Sequence, residues 1–284
     1  MEEKRNIVEN LFNAFLIEII FFLIAQFAVL VSSWRILTIV QLGQPAEIAP
    51  VSFWDFILSF ALATGFLLFL IRFIKRGFAR AWLKIIFILI IFLGGFMFVS
   101  LWLGNLWALI ILLFLIFLWL KTFNILIHNI LMFSGLVGVS SMLSLRMTPS
   151  MIILFLVIFS VYDFIAVYQT KHMVKLARAM IDSKAILGII LPSKLSYFKQ
   201  SLKQVGKGNK FLVLGGGDII FPLLLTSSLA LQGFVRPLIV IFFSALGLFL
   251  SFYIFISQKE RQPMPALPPI ALAAIAGYWI SLFF

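Results

Sequence analysis

The sequence contains no cysteine, and this absence excludes a disulfide framework, a thiolate zinc site and a cysteine nucleophile together. Charged residues are scarce, at 11% of the 284 residues, where a soluble domain has about 25%. Hydrophobic residues make up 63% of the chain, and the mean hydropathy is +1.18. A globular protein of this length cannot bury so much apolar surface. The composition therefore excludes a soluble enzyme and indicates a chain whose solvent is lipid.

The few charges divide the chain into apolar segments, each close to the roughly 20 residues that one helical crossing of a bilayer needs. Residues 85–120 carry no charge and would form a helix about 54 Å long, so we expect them to fold back at Gly104-Asn105. With that break, we predict an all-α polytopic membrane protein with nine transmembrane helices. The predicted spans are residues 11–33, 53–71, 84–103, 105–120, 123–145, 150–169, 211–231, 234–256 and 264–284.

Lysine and arginine, which stay on the cytoplasmic side of a membrane, predict the orientation of these spans. We predict a cytoplasmic N-terminus and an extracytoplasmic C-terminus. Of the 22 basic residues, only Arg35, Arg146 and Arg236 then lie outside, which leaves 19 inside. The net charge of +12 is thus mostly a matter of topology, with anionic lipid headgroups as its counter-charge. Nucleic acid is accordingly excluded as a partner.

The predicted spans leave three parts: a six-helix part at 1–170, a basic cytoplasmic loop at 171–210 and a three-helix part at 211–284. The loop carries nine Lys or Arg residues and one acid, Asp182, with Pro192 near its middle. It is either a basic anchor at the membrane surface or a flap, open to cleavage, that covers a cytoplasm-facing site. The sequence leaves both interpretations open.

Three of the ten acidic residues fall inside predicted spans, namely Glu18, Asp163 and Asp218. An ionisable group at membrane depth costs at least about 2.5–3.5 kcal/mol on insertion, so it marks a functional site or an interior polar contact. Asp163 lies seven residues before Thr170, at the cytoplasmic end of its span, and Asp218 lies eight residues after Lys210. Both therefore lie roughly 10–12 Å inside the same boundary, on antiparallel neighbouring helices.

If these two helices pack side by side, their carboxyl groups can meet. Two carboxyl groups about 3 Å apart share one proton, because they cannot both ionise. The ionised member can then take a proton from a water molecule while the protonated member polarises a scissile carbonyl, as in amide hydrolysis. Buried acids also couple protons or cations in transporters, so the acids by themselves leave hydrolysis and transport equally open.

Residues that loosen a helix lie at the same depth as both aspartates. Gly215-Gly216-Gly217 directly precedes Asp218, and three glycines cost a helix roughly 1 kcal/mol each. They also let another backbone approach closely. Four prolines within residues 263–269 exclude a regular helix at the cytoplasmic start of the last span. Irregular backbone at membrane depth is tolerated only where it is buried in protein or lines a cavity.

Three short motifs follow one another in the sixth, seventh and ninth predicted spans: Tyr162-Asp163, Gly215-Gly216-Gly217-Asp218 and Pro265-Ala266-Leu267. They resemble the YD, GxGD and PAL signatures of presenilins and signal peptide peptidases. The resemblance covers about residues 150–284 by motif and the whole chain by number of spans. The N-terminus inside matches presenilins, residues 218–222 are similar to signal peptide peptidases, and the short termini and loop resemble archaeal homologues.

The resemblance implies an intramembrane aspartyl protease, an endopeptidase that hydrolyses peptide bonds within the transmembrane segments of other proteins. It implies Asp163 and Asp218 as a catalytic pair that activates one water molecule, with no metal and no organic cofactor. The implied partners are the lipid bilayer and single-span membrane proteins or peptides, a homo-oligomer remains open, and the implied location is an archaeal cell membrane. Substrate-binding residues are expected to be Tyr162, Gly215, Gly216, Gly217, Pro265, Ala266 and Leu267.

The proline-rich segment before the last span has an expected role in substrate binding. A substrate helix hides its own peptide bonds and must unwind before hydrolysis, so Pro265-Ala266-Leu267 is expected to pair with the freed backbone as a strand does. On this hypothesis, changes at Ala266 or Leu267 impair cleavage and leave the fold intact. Tyr162 is expected either to line the approach to the site or to serve as an interface aromatic.

Two other functions remain as alternatives, a secondary transporter that couples ions through Asp163, Asp218 and Glu18, and a catalytically silent membrane scaffold. Glu18 belongs to none of the three motifs, and a proton-relay acid, an interhelical contact and a snorkelling end group are the interpretations left open for it. His128, with Asn129 beside it, is expected to make interhelical hydrogen bonds rather than to bind a metal.

Overall fold

The computed structural model describes residues 2–42, 52–73, 76–170, 172–205, 210–258 and 263–284, and most of them are helical. The helices are α1 (Glu2–Leu42), α2 (Phe53–Phe73), α3 (Arg76–Leu103), α4 (Asn105–Thr122), α5 (Ile125–Ser144), α6 (Pro149–Phe164), α7 (His172–Ser183), α8 (Gly216–Ser228), α9 (Val235–Ser257) and α10 (Leu267–Ser281). Two strands, β1 (Gly188–Pro192) and β2 (Phe211–Gly215), lie between α7 and α8 in the chain.

Six of the described helices are long and apolar enough to cross a membrane: α1, α3, α4, α5, α9, and α6 with a π-helical extension over Ile165–Gln169. Shorter apolar helices at Phe53–Ala63, Gly216–Gln232 and Leu267–Ser281 occupy the other three predicted spans. The described residues therefore form a multi-pass membrane protein with an apolar helix at each predicted span. Nine full crossings, and the side on which each terminus lies, stay predictions.

The uncharged stretch folds back at the predicted position. α3 ends at Leu103 and α4 begins at Asn105, and Gly104 between them has a φ of 82°, a left-handed conformation that glycine adopts without strain. α4 then returns along α3. The Gly104-Asn105 break is therefore confirmed.

The prediction of an all-α fold is wrong in one segment, because β1 and β2 pair as an antiparallel hairpin with Gly188 opposite Gly215. We expected the seventh span to start at residue 211, but residues 211–215 are a strand and α8 begins at Gly216. A short, continuously apolar segment is compatible with either a buried strand or a buried helix, because its hydrophobic pattern has no period that distinguishes the two. The partner strand, more than 20 residues earlier in the chain, decides the outcome.

Helix α5 lies at the centre of the packing, where it contacts α1, α3, α4, α8 and β1. Its contact with α3 is unusually close, since a Cβ added to Gly138 would lie 1.9 Å from the carbonyl oxygen of Gly94. Small residues permit this close approach. In lipid, where the hydrophobic effect does not drive helices together, the approach stabilises the pair through van der Waals contact. The closely packed α3–α5 pair thus supports the hairpin through the contact of α5 with β1.

Two apolar clusters frame the region between α6 and α8. One packs residues of α1, α3 and α5 around the hairpin, and the other joins α6, α8 and α10. The far end of α8 is also held by buried polar contacts: the Ser227 hydroxyl hydrogen-bonds Ser33 of α1 and Ser144 of α5, and Thr226 donates to Gln26 Oε1 at 2.6 Å. α8 is therefore fixed along its length against α1, α5, α6 and α10.

Candidate active site

Asp163 is the penultimate residue of α6. Pro149 in the first turn and the Thr148 side chain, which accepts a hydrogen bond from the Met151 N–H at 3.3 Å, start this helix. The Asp163 side chain is only 9% exposed, and its carboxylate lies near the backbone of Leu267. Its Oδ2 atom is buried and has no hydrogen-bond partner among the described residues. The Asp163 Oδ2 atom is thus a buried acceptor that a ligand could satisfy.

Asp218 lies in the first turn of α8 and is half-buried. Its carboxylate turns back to the start of the helix and lies near the backbone of Gly215. A helix N-terminus stabilises a carboxylate in this position, because its first N–H groups have no partner within the helix.

The two aspartates are brought together by the contact between α6 and α8. One helical turn from each of them, the rings of Phe159 and Phe221 stack with centroids 4.6 Å apart. The Asp163 and Asp218 carboxylates are close enough for their charges to interact. Two carboxyl groups share a proton and can activate one water molecule when they approach to about 3 Å.

The three glycines before Asp218 have different surroundings. A Cβ added to Gly215 would lie 2.9 Å from Asp218 Oδ2, so the Asp218 carboxylate would have to shift to make room for it. A Cβ on Gly216 would lie 3.2 Å from the Leu187 carbonyl oxygen, which the Gly216 N–H binds at 3.0 Å. Gly217 is exposed and would gain no neighbour within 4 Å. Gly215 therefore lies against the Asp218 carboxylate, Gly216 ties the start of α8 to Leu187, and Gly217 leaves open space beside Asp218.

The segment before α10 is irregular over Pro263–Ala266, and α10 begins at Leu267 with prolines in its first turn. Pro265 is buried, Ala266 is half-buried and the Leu267 side chain is 3% exposed. Leu267 packs in the apolar cluster of α6, α8 and α10, and its backbone lies near the Asp163 carboxylate. Leu267 therefore lies beside an aspartate and fills the core, and the expectation that it can be changed without effect on the fold conflicts with this burial.

A cavity of about 440 Å³ adjoins this segment. The residues that line it come from α1, β2, α9 and the proline-rich segment, and they include Glu18, residues 211–214, Ser251, Met264 and Ala266. Glu18 is 4% exposed, and its charge interacts with that of Asp218. Burial rules out the snorkelling interpretation of Glu18, since a snorkelling carboxylate reaches water.

The anchoring of the hairpin was not foreseen from the sequence. His128 Nε2 lies 3.1 Å from the Gly188 carbonyl oxygen, and the Asn129 amide both donates to the Ile190 carbonyl at 2.7 Å and accepts from the Ile190 N–H at 3.0 Å. We expected these side chains to bond another helix, but their partner is the backbone of β1. The signal present in the sequence was a pair of buried polar residues in an apolar span. Tyr162, beside Asp163, is half-buried on α6.

A family model described as signal-peptide peptidase, presenilin aspartyl protease matches residues 19–284. The chain belongs to this family. Membership in the presenilin and signal-peptide peptidase family agrees with the resemblance of the three motifs and with a multi-pass membrane protein. It is a family of aspartyl proteases, so it favours hydrolysis over transport.

Two solved structures of a presenilin family intramembrane aspartate protease are similar to the chain. The structure in space group C222 has a TM-score of 0.64 at 23% identity and covers 95% of this chain and 98% of its own. The structure in space group P2 has a TM-score of 0.57 at 22% identity, with coverages of 92% and 96%. At such identity the likeness shows a shared fold. None of the curated proteins compared with the chain matches it.

Proposed function

We propose that this presenilin-family chain is an intramembrane endopeptidase with Asp163 and Asp218 as its catalytic pair. The observation that carries the proposal is the approach of these two carboxylates, one from the end of α6 and one from the start of α8. Both lie within helices of a chain whose family is one of aspartyl proteases. Two acids whose charges interact with each other are the arrangement that activates water in such enzymes.

In the proposed reaction, the ionised aspartate takes a proton from a water molecule, whose oxygen attacks the scissile carbonyl carbon. The protonated aspartate donates a hydrogen bond to the carbonyl oxygen, which bears the developing negative charge. The carbon–nitrogen bond then breaks as the proton passes to the leaving nitrogen. The backbone of Leu267 lies near the Asp163 carboxylate and the backbone of Gly215 lies near the Asp218 carboxylate, and these positions would reduce the reorganisation that the reaction needs.

The proposed substrates are single-span membrane proteins or peptides within the bilayer. Their helices must unwind at the scissile bond, and the freed N–H and C=O groups then need partners. The backbone of β2 supports such a role, because β1 pairs with it in register and residues 211–214 also border the 440 Å³ cavity. Pro263, Met264 and Ala266 border the same cavity, so an extended segment there would lie between β2 and the proline-rich segment.

The test is cleavage of a single-span substrate by purified protein in detergent. We expect Asp163→Asn and Asp218→Asn each to lower the rate at least about 100-fold, because each removes one proton-transfer group. The matched control is Asp55→Asn, which makes the same change at an exposed position of α2. Circular dichroism and size-exclusion profiles would check that the variants keep the fold.

Cleavage that survives either aspartate change in a folded variant would falsify the catalytic pair. If the wild-type protein cleaves no substrate and instead drives ion-dependent solute uptake in liposomes, the result favours the transporter interpretation. Full loss in both variants with an unaffected control would support the protease.

A further inference from the structure

A second concave site lies apart from the aspartates, between α7 and the turn that follows residue 201. The cavity has a volume of about 500 Å³, and its charged lining is Arg178, Asp182, Lys184 and Lys203, over an apolar base that includes Leu202. Three basic side chains and a single carboxylate thus face one space. None of them belongs to the motifs or to the surroundings of Asp163 and Asp218.

A fourth cation joins this group through Phe123. The Lys184 Nζ lies 4.3 Å and the Lys84 Nζ 5.3 Å from the centroid of the Phe123 ring. A ring face attracts each ammonium group, but it does not cancel their mutual repulsion. Partial burial and the neighbouring charges of Lys203 and Lys84 lower the pKa of Lys184. An anion in the cavity would offset this concentration of positive charge.

The site lies where three consecutive spans end on the same side. Lys84 is near the start of the span Ala81–Leu103, and Phe123 lies between the end of Asn105–Thr122 and the start of Ile125–Ser144. Ends of antiparallel neighbours at one level mark the boundary between hydrocarbon and water. Basic pockets at this level bind the phosphate groups of anionic lipids.

We propose that this cavity, formed by Arg178, Lys184 and Lys203 with Lys84 beside them, is a binding site for a phosphate-bearing anion at the membrane boundary. A tetrahedral phosphate presents oxygens to several ammonium and guanidinium groups at once, which suits cations that converge from different elements. The anion would join α7 to the turn at residue 203 and to the N-terminal part of α3. The phosphate comes either from the headgroup of an anionic lipid or from solution.

The lipid arm of the test places the wild-type protein in nanodiscs of phosphatidylcholine with a minor fraction of phosphatidylglycerol. Native mass spectrometry then measures which lipid stays bound. We expect preferential retention of phosphatidylglycerol, and a roughly tenfold or greater loss of this preference in Lys184→Gln/Lys203→Gln. The matched control is Lys194→Gln/Lys199→Gln, which removes two charges from exposed positions of the same loop. If the double variant fails to fold, Lys203→Gln serves instead, because Lys203 is exposed.

The solution arm compares inorganic phosphate with chloride at equal ionic strength in detergent, with the melting temperature as readout. If phosphate raises the melting temperature only when Lys184 and Lys203 are present, the site binds free phosphate. If lipid retention requires these two lysines but phosphate gives no such stabilisation, the site binds a lipid headgroup. Equal behaviour of the pocket variant and the control variant in both arms overturns the proposal. Neither arm depends on proteolytic activity.

Discussion

At the scale of single residues, the glycines before Asp218 offer a sharp test of the site. Gly215 has no room for a Cβ beside the Asp218 carboxylate, whereas Gly217 has open space. We expect Gly215→Ala to displace the Asp218 carboxylate by a few tenths of an ångström and to reduce cleavage by about tenfold or more, because small misplacements of reacting groups are costly. Gly217→Ala is the matched control.

The kinetics of both glycine variants in a single-span substrate assay, with thermal melting alongside, would check this prediction. The backbone of Gly215, with φ −62° and ψ 144°, suits alanine, so a loss of activity would not come from strained dihedrals. Equal rates for Gly215→Ala and Gly217→Ala would contradict the assigned role of Gly215.

Glu18 is a third buried acid near the site, and its charge interacts with that of Asp218. It lines the cavity beside β2, and it has no place among the three motifs. We expect Glu18→Gln, which keeps the volume and removes the charge, to retain cleavage within about tenfold, well short of the loss expected on removal of a proton-transfer group. The comparison is with Asp218→Asn in the same assay. A loss as large as that of Asp218→Asn would make Glu18 a member of the proton-transfer machinery.

At the scale of elements, the hairpin depends on α5 as much as on its own pairing. Asn129→Ala removes both side-chain bonds to Ile190 and leaves a buried N–H and a buried C=O without them. Unsatisfied groups of this kind cost about 1–3 kcal/mol each, so we expect the hairpin to open more often and cleavage to fall. Hydrogen exchange of residues 188–192 and 211–215 measures the opening.

The control for this change is Asn105→Ala, at an exposed position at the start of α4. It removes the same side chain away from the hairpin, so its exchange pattern should match that of the wild-type protein. Hairpin exchange that is no faster in Asn129→Ala than in Asn105→Ala would show that strand pairing is sufficient to hold β1.

At the scale of the whole molecule, the orientation in the membrane is a prediction that the absence of cysteine makes easy to test. Every introduced cysteine is the sole thiol of the chain. With the N-terminus inside, the turn at Asn105 lies outside and the loop at Ser196 lies in the cytoplasm. We expect a membrane-impermeant maleimide to label Asn105→Cys in intact cells and Ser196→Cys only after lysis. The reverse pattern would invert the topology.

Local chemistry made several features predictable from the sequence. The break at Gly104 was visible because an uncharged run was too long for one crossing, and the irregular start of the last span followed from prolines that cannot donate N–H groups. The candidate aspartates stood out because charge is costly in lipid. Each of these signals belongs to a residue and its immediate neighbours.

Other features depended on partners that are distant in the chain. Residues 211–215 became a strand because β1 supplied their hydrogen-bond partners, and His128 and Asn129 bind the backbone of β1 rather than another helix. The burial of Leu267 likewise follows from the meeting of α6, α8 and α10. The sequence by itself determined a lipid-embedded helical chain and predicted two acids at one depth. The tertiary structure decided which backbone groups face those acids, because backbone hydrogen bonds carry no side-chain signal of their partner.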